Sequence, residues 1–325
     1  MYPRHRRRGT HWKRSLGLTR LRRRRPRPAI RIGALALAAG SLTAVLTGVA
    51  VAYAVQVQSP AGGASTSDVK KLPLSYLREQ AKYHFAGYSL PGHTATSVPT
   101  SEIPLLPTAA AGATAASSPV YGLDVSSFQG NVNWSAQKAA GALFAYVKAT
   151  EGSYYTNPYF AQQYNGSYNV GLIRGAYHFA NPSYSSGATQ ATYFLNHGGG
   201  WSKDGKTLPG ALDIEANPYG SQCYNLSQAA MRSWINSFVT TYHTRTTRWP
   251  VVYTNYLWWV TCTGNWNGLA TNDPLWIAKY SSSPGPLPAG YSFYTFWQFA
   301  SSGKFAGDQD VFNGNASRLS VLATG

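Results

Sequence analysis

The sequence predicts an α/β fold, either a barrel or an open sheet, built mainly from parallel strands and poor in helices toward its C-terminus. Three observations carry this expectation. Strand-like and helix-like segments alternate from Val120 to Tyr242, as crossover connections between parallel strands require. After Tyr242 the strand-like segments are separated mainly by turns. The region from residue 119 to the end, about 205 residues, is short of the roughly 250 that eight full β/α units need, so some helices must be missing.

The elements follow in order as apolar, aromatic and β-branched runs between Gly, Asn and Pro turns. Candidate strands are Val120–Val125, Leu143–Ala149, Leu172–Phe179, Leu208–Ile214, Pro250–Thr254, Leu275–Ala278 and Tyr294–Phe299. Candidate helices are Trp134–Gly141, Pro158–Val170, Gly187–Gly198 and Leu226–Tyr242.

Residues 1–118 have a different character. Thirteen of the 28 Arg and Lys residues lie in residues 1–31, where there is no acid, leaving 15 basic against 11 acidic residues in the rest of the chain. The net charge of +17 is therefore a property of the tail and no argument for nucleic-acid binding by the domain. The uncharged run 32–55 is long enough to cross a bilayer as a helix, and its basic flank predicts a cytoplasmic N-terminus. Ala52-Tyr53-Ala54 resembles a signal-peptidase site. Cleavage there would release everything after about residue 54, whereas retention would leave a single-pass anchor. Either outcome places the C-terminal region in the extracellular or cell-wall space. Residues 56–118 are rich in Ala, Ser, Thr, Gly and Pro and read as a spacer, with one short helix possible near Leu72–Ala81. Cys223 and Cys262 are the only cysteines, and in an exported chain they are expected to form one disulfide.

Unusual polar residues cluster where the candidate strands end. Asp213 and Glu215 stand at i and i+2, so on a strand they share a face. That spacing serves acid/base chemistry, and equally a solvated rim or a metal site. Asp124, Glu151, His178, Asp308 and Asp310 occupy similar positions, and a barrel would bring such strand ends to one mouth. Tyr146, Tyr177, Tyr253, Trp276, Tyr280, Trp297 and Phe299 add aromatic faces on which sugar rings stack; each alone reads first as a core residue, and it is their combination with the acids that points to carbohydrate. No Gly-x-Ser-x-Gly elbow, P-loop or Gly-x-Gly-x-x-Gly fingerprint is present.

Five ordered motifs extend this reading: Asp124-Val125-Ser126-Ser127-Phe128-Gln129, Lys148-Ala149-Thr150-Glu151-Gly152, Arg174-Gly175-Ala176-Tyr177-His178-Phe179, Leu212-Asp213-Ile214-Glu215 and Phe296-Trp297-Gln298-Phe299. Together they resemble glycoside hydrolase family 25, the Chalaropsis-type muramidases, from about Tyr121 to the C-terminus. The resemblance implies a modified TIM-like barrel of about five β/α units followed by strands with few helices. It implies cleavage of the β-1,4 bond between N-acetylmuramic acid and N-acetylglucosamine in peptidoglycan, with no cofactor or metal. Glu215 matches the family's general acid, and Asp213 the carboxylate that assists the substrate acetamido group. Asp124 matches the first-strand acid, and Asp308 the acid near the last strand, which its spacing to Phe312 and Asn313 favours over Asp310. Ser127 stands where His is frequent in the family.

Glu151, Tyr146, Tyr177, His178, Tyr253, Trp276, Tyr280 and Trp297 are the expected substrate contacts. The expected partner is a peptidoglycan glycan strand, together with a membrane if 32–55 is retained, and the chain is expected to be monomeric. A non-catalytic wall-binding protein and a hydrolase of another N-acetylated glycan, such as chitin, are the competing readings.

Overall fold

The computed structural model describes residues 119–325, together with Leu74 and Ser75 in a helical turn. The expectations for residues 1–31, 32–55 and nearly all of 56–118 lie outside the described residues. Among the described residues no helix is long and apolar enough to cross a membrane.

The chain runs β1 (Val120–Val125), α1 (Trp134–Ala139), β2 (Phe144–Glu151), β3 (Tyr155–Thr156), α2 (Phe160–Asn169), β4 (Ile173–Phe179), α3 (Gly187–Asn196), β5 (Ala211–Asp213), α4 (Gln228–Thr246), β6 (Val251–Thr254), α5 (Tyr256–Thr263), β7 (Leu275–Ala278), β8 (Phe296–Ala300), β9 (Asp308–Phe312) and α6 (Ala316–Thr324). Five strand–helix units are followed by three strands with no helix between them, as the family resemblance implies. The strands pair in the order β1-β9-β8-β7-β6-β5-β4-β2, and a parallel β1–β2 pairing closes the barrel. The hairpin strand β3 lies outside the ring on β2. Of the ring strands only β9 runs antiparallel, against both β1 and β8.

Period-two alternation divides each strand between two environments. Tyr146, Tyr177, Ala211, Tyr253, Trp276 and Phe296 meet in one cluster that fills the barrel. Their neighbours Ala176, Leu212 and Val252 join Phe194, Ile235 and Phe238 in the layer between sheet and helices. Glycine makes room for the large interior rings: a Cβ on Gly175 would stand 2.3 Å from the Tyr146 ring.

The helices start where the sequence offers side-chain caps. Asn133, Ser186, Ser227, Asn255 and Asn315 each accept a first-turn backbone N–H. Helix α4 buries Met231, Trp234, Ile235, Phe238, Val239 and Tyr242, a stripe at helical spacing. It packs tightly on α3, because a Cβ on Gly187 would stand 2.2 Å from the carbonyl oxygen of Trp234.

Four elements are absent from the sequence-based expectation. Helices α5 and α6 and the two-residue β3 are short, so they carry little periodicity. Strand β9 reads Asp-Gln-Asp-Val-Phe, a polar run without strand character. It is strand because pairing with β1 and β8 closes the ring, and its acids face inward toward other polar groups.

Candidate active site

Strand direction decides which residues gather at the barrel mouth. Asp124 is the penultimate residue of β1, Asp213 ends β5, and Glu215 follows two residues later. Asp308 is the first residue of β9, and because β9 is antiparallel this places it at the same end, directly opposite Asp124 in register. All four carboxyls are at most 3 % exposed. Glu151, at the end of β2, and Asp310 complete the cluster, so six of the chain's 11 acids lie together.

Gln298 organises one side of this cluster. Its amide nitrogen donates to Asp124 Oδ2 at 2.7 Å and to Asp308 Oδ2 at 3.1 Å. Its carbonyl oxygen accepts the phenols of Tyr253 and Tyr280, each at 3.0 Å. All four hydrogen-bonding positions of the amide are thus used. On the other side, Lys148 pairs with Glu151 Oε2 at 2.6 Å, and both side chains are fully buried. Glu151 Oε1 also accepts the phenols of Tyr154, at 2.8 Å, and Tyr219. The Lys148 ammonium lies 4.9 Å from the ring of Phe179, the residue paired in register with Asp213.

Burial sets the proton affinities. It pushes Asp124 up to about 7, against the opposing hydrogen bonds from Gln298 and Asp310. Asp213 is held well above the usual carboxylate range by burial, opposed by the charge of Lys148 and reinforced by Asp124 and Glu151. Neither oxygen of Asp213 has a hydrogen-bond partner among the described residues. Burial likewise raises Asp308 well above that range, and the charges of Asp124, Asp310, Glu215 and Asp213 add to the rise. Crowded carboxyls of this kind can hold one group protonated and another ionised at the same pH.

The structure brings Asp124, Asp213, Glu215 and Asp308 together with Tyr253 and Tyr280, and it separates four other expected contacts from the mouth. His178 points to the helix side of β4, where it bonds Thr150 and Gln190 and stacks on Phe238 at 5.3 Å. Burial lowers its pKa to about 4, so it is a neutral core histidine. Trp297 packs with Leu275, Ile277 and Phe299 outside the barrel and donates to Lys279 O. Tyr146 is fully buried in the interior, donating to Pro209 O and stacked on Trp276 at 4.8 Å. Tyr177 is fully buried in the same interior cluster. Trp276 does reach the acid cluster, but by donating its indole N–H to Asp310 at 2.9 Å from within the core. Glu151 is a buried ion-pair partner of Lys148 rather than an open contact.

Sequence reasoning left Gln298, Lys148, Tyr154 and Tyr219 without roles. Gln298 did carry a signal, because it is a polar residue on the same face of β8 as the buried Phe296. Tyr219 carried none, since a loop brings it to Glu151 from 68 positions away.

The loop after Glu215 is tied down. Tyr224 donates to Ala180 O, and Cys223 is disulfide-bonded to Cys262 of α5 with Cα atoms 5.3 Å apart, as the cysteine count predicts.

The family model for glycosyl hydrolases family 25 matches residues 123–308. The chain belongs to this family. Its family 25 region is 52 % identical over 209 residues to Lysozyme M1 of Streptomyces globisporus, covering 63 % of this chain and 71 % of that protein. It is 47 % identical over 210 residues to an N,O-diacetylmuramidase of Chalaropsis sp, covering 63 % of this chain and 100 % of the relative. Among solved structures, a muramidase from Acremonium alcalophilum superposes with a TM-score of 0.63 at 56 % identity, covering 63 % of this chain and 99 % of that one.

Proposed function

We propose that the chain is a lysozyme that hydrolyses peptidoglycan at the β-1,4 bond between N-acetylmuramic acid and N-acetylglucosamine. The observation that carries this reading is the convergence of Asp124, Asp213, Glu215 and Asp308 at one barrel mouth in a family 25 fold. The muramidase and lysozyme names of its relatives support the substrate class.

In this reading Glu215 donates its proton to the glycosidic oxygen as the bond to the anomeric carbon breaks. Asp213 acts on the other reacting centre. Ionised, it polarises the acetamido N–H of the substrate while the acetamido oxygen attacks the anomeric carbon, giving an oxazolinium-like intermediate. Lys148 favours the ionised form of Asp213. The Glu215 carboxylate then takes a proton from water as that water opens the intermediate, with net retention. Asp124 and Asp308, held by Gln298, form the opposite wall of the mouth.

The region acts on the wall, outside the cytoplasm, and the 32–55 segment is the device proposed to deliver it there. Sequencing the N-terminus of the exported protein by mass spectrometry distinguishes cleavage after Ala54 from a retained anchor. The function is tested by incubating the purified protein with peptidoglycan and following new reducing ends. The wild type releases ends at N-acetylmuramic acid, and Glu215→Gln and Asp213→Asn do not. Full activity of Glu215→Gln refutes the assignment of the acid, and cleavage of chitin in preference to peptidoglycan refutes the substrate.

A further inference from the structure

The geometry points to Asp310 as a positioning residue that works as a neutral acid, sharing one proton with Asp124 and so fixing the Asp124–Gln298–Asp308 wall of the mouth. Its role in the reaction rests on the function proposed above. The proton sharing itself does not.

Asp310 is fully buried on the inner face of β9, two residues below Asp308, and is paired in register with Gly122 of β1 and Gln298 of β8. Trp276 donates its indole N–H to Oδ1, while no N–H or O–H donor reaches Oδ2. Asp310 is paired with Gly122 and Asp308 with Asp124, so Asp124 and Asp310 are diagonal neighbours on the inner face of two adjacent strands, and their carboxyls interact directly. Two carboxylates cannot hydrogen-bond to each other, so this contact requires that one of them carry a proton. Each carboxyl accepts one N–H, Asp124 from Gln298 at 2.7 Å and Asp310 from Trp276 at 2.9 Å, but Asp310 is the more completely buried and is the one left with a buried oxygen that no donor reaches. The proton therefore resides on Asp310, which donates to Asp124.

The titratable groups facing Asp310 are Asp124 from β1, Tyr146 from β2, Tyr280 from the segment after β7 and Asp308 from β9 itself. None of them is a cation. Burial and the charge of Asp124 hold Asp310 well above the ordinary carboxylate range. The arrangement gives Asp124 two donors, one neutral amide and one neutral acid, from residues that are themselves paired in register. With Asp124 held in this way, Gln298 is oriented to keep its second N–H on Asp308.

Asparagine reproduces a protonated aspartic acid here, since it can donate N–H to Asp124 and accept from Trp276, whereas leucine does neither. The test compares wild type, Asp310→Asn and Asp310→Leu by denaturation from pH 4 to 8, by infrared spectroscopy of the protonated carboxyl C=O stretch, and by pH profiles of peptidoglycan cleavage.

In the wild type the native state keeps a proton that the unfolded chain loses above about pH 4, so native stability falls as pH rises. Asp310→Asn has no such loss, and its stability relative to wild type therefore rises with pH. The variant should also lack one protonated-carboxyl band. It should keep activity within about threefold and extend its profile to higher pH, whereas Asp310→Leu should lose at least about tenfold. An Asp310→Asn variant as inactive as Asp310→Leu, or one whose stability difference from wild type is constant with pH, overturns the inference. If the wild type cleaves no peptidoglycan the proposed function fails, and the denaturation and infrared results still decide where the proton lies.

Discussion

Replacing Lys148 with methionine tests how the floor of the site is held together. The side chain keeps its length and loses its charge. Lys148 and Glu151 form an ion pair of 2.6 Å with both side chains fully buried. Removing one member of a buried pair leaves the other charge in a low-dielectric interior and costs about 3–5 kcal/mol. The phenols of Tyr154 and Tyr219 remain on Glu151 and place the cost toward the lower end. For a domain of this size each kcal/mol lowers Tm by about 2–4 °C, so Lys148→Met should melt about 6–20 °C below wild type. Adding Glu151→Gln removes the stranded charge but keeps an acceptor for the phenols, and the double variant should recover more than half of the loss. Guanidinium denaturation followed by tryptophan fluorescence gives the three differences and hence the coupling energy. The single variant should also shift the acidic limb of the activity profile to higher pH, because Asp213 loses the positive charge of Lys148 that favours its ionised form. A cost below about 1 kcal/mol, or a double variant no more stable than the single one, refutes this account of the pair.

Other consequences follow from the same geometry. Gln298→Leu removes four hydrogen bonds at once from two phenols and two carboxyls, so it should lower stability by on the order of 4 kcal/mol and reduce peptidoglycan cleavage at least about tenfold, as read by denaturation and reducing-end assays. His178, lowered from 6.5 to about 4 by burial, is neutral when folded. The unfolded chain takes up a proton as pH falls through that window, so this residue costs the wild type up to about 3 kcal/mol of stability by pH 4. His178→Gln should remove that acid sensitivity in a urea titration at several pH values while leaving cleavage near neutral pH intact. Replacing both Cys223 and Cys262 by serine should cost about 2–4 kcal/mol and loosen the loop that carries Tyr219, which limited proteolysis between residues 216 and 227 would reveal.

Much of the fold was legible because local patterns report local structure. Strands β1 and β7 match the sequence-based segments residue for residue, and α4 shows its stripe from Met231 to Tyr242 in the primary structure. The acids were legible because a carboxyl at the end of an apolar run is conspicuous. The aromatic contacts were not. Strand alternation says that Trp276 and Ile277 face opposite ways, but only closure of the barrel says which side is the interior. His178 and Trp297 were expected at the mouth and lie outside the barrel for that reason, one between sheet and helices and the other against Leu275 and Ile277. Tyr146 and Tyr177 face inward but too deep, below the layer of acids.

The sequence by itself determined the α/β alternation, the first residues of α1 and α3, the identity of the acids and the presence of two cysteines available for one disulfide. Each of these depends on residue type and on neighbours a few positions away. Tertiary structure alone decided the antiparallel course of β9, which sets Asp308 opposite Asp124. It also decided the meeting of Gln298 with both acids and the burial of Lys148 against Glu151 beside Asp213. Those outcomes depend on long-range pairing and on how far water is excluded, and burial is what lifts Asp124, Asp213, Asp308 and Asp310 above the ordinary carboxylate range.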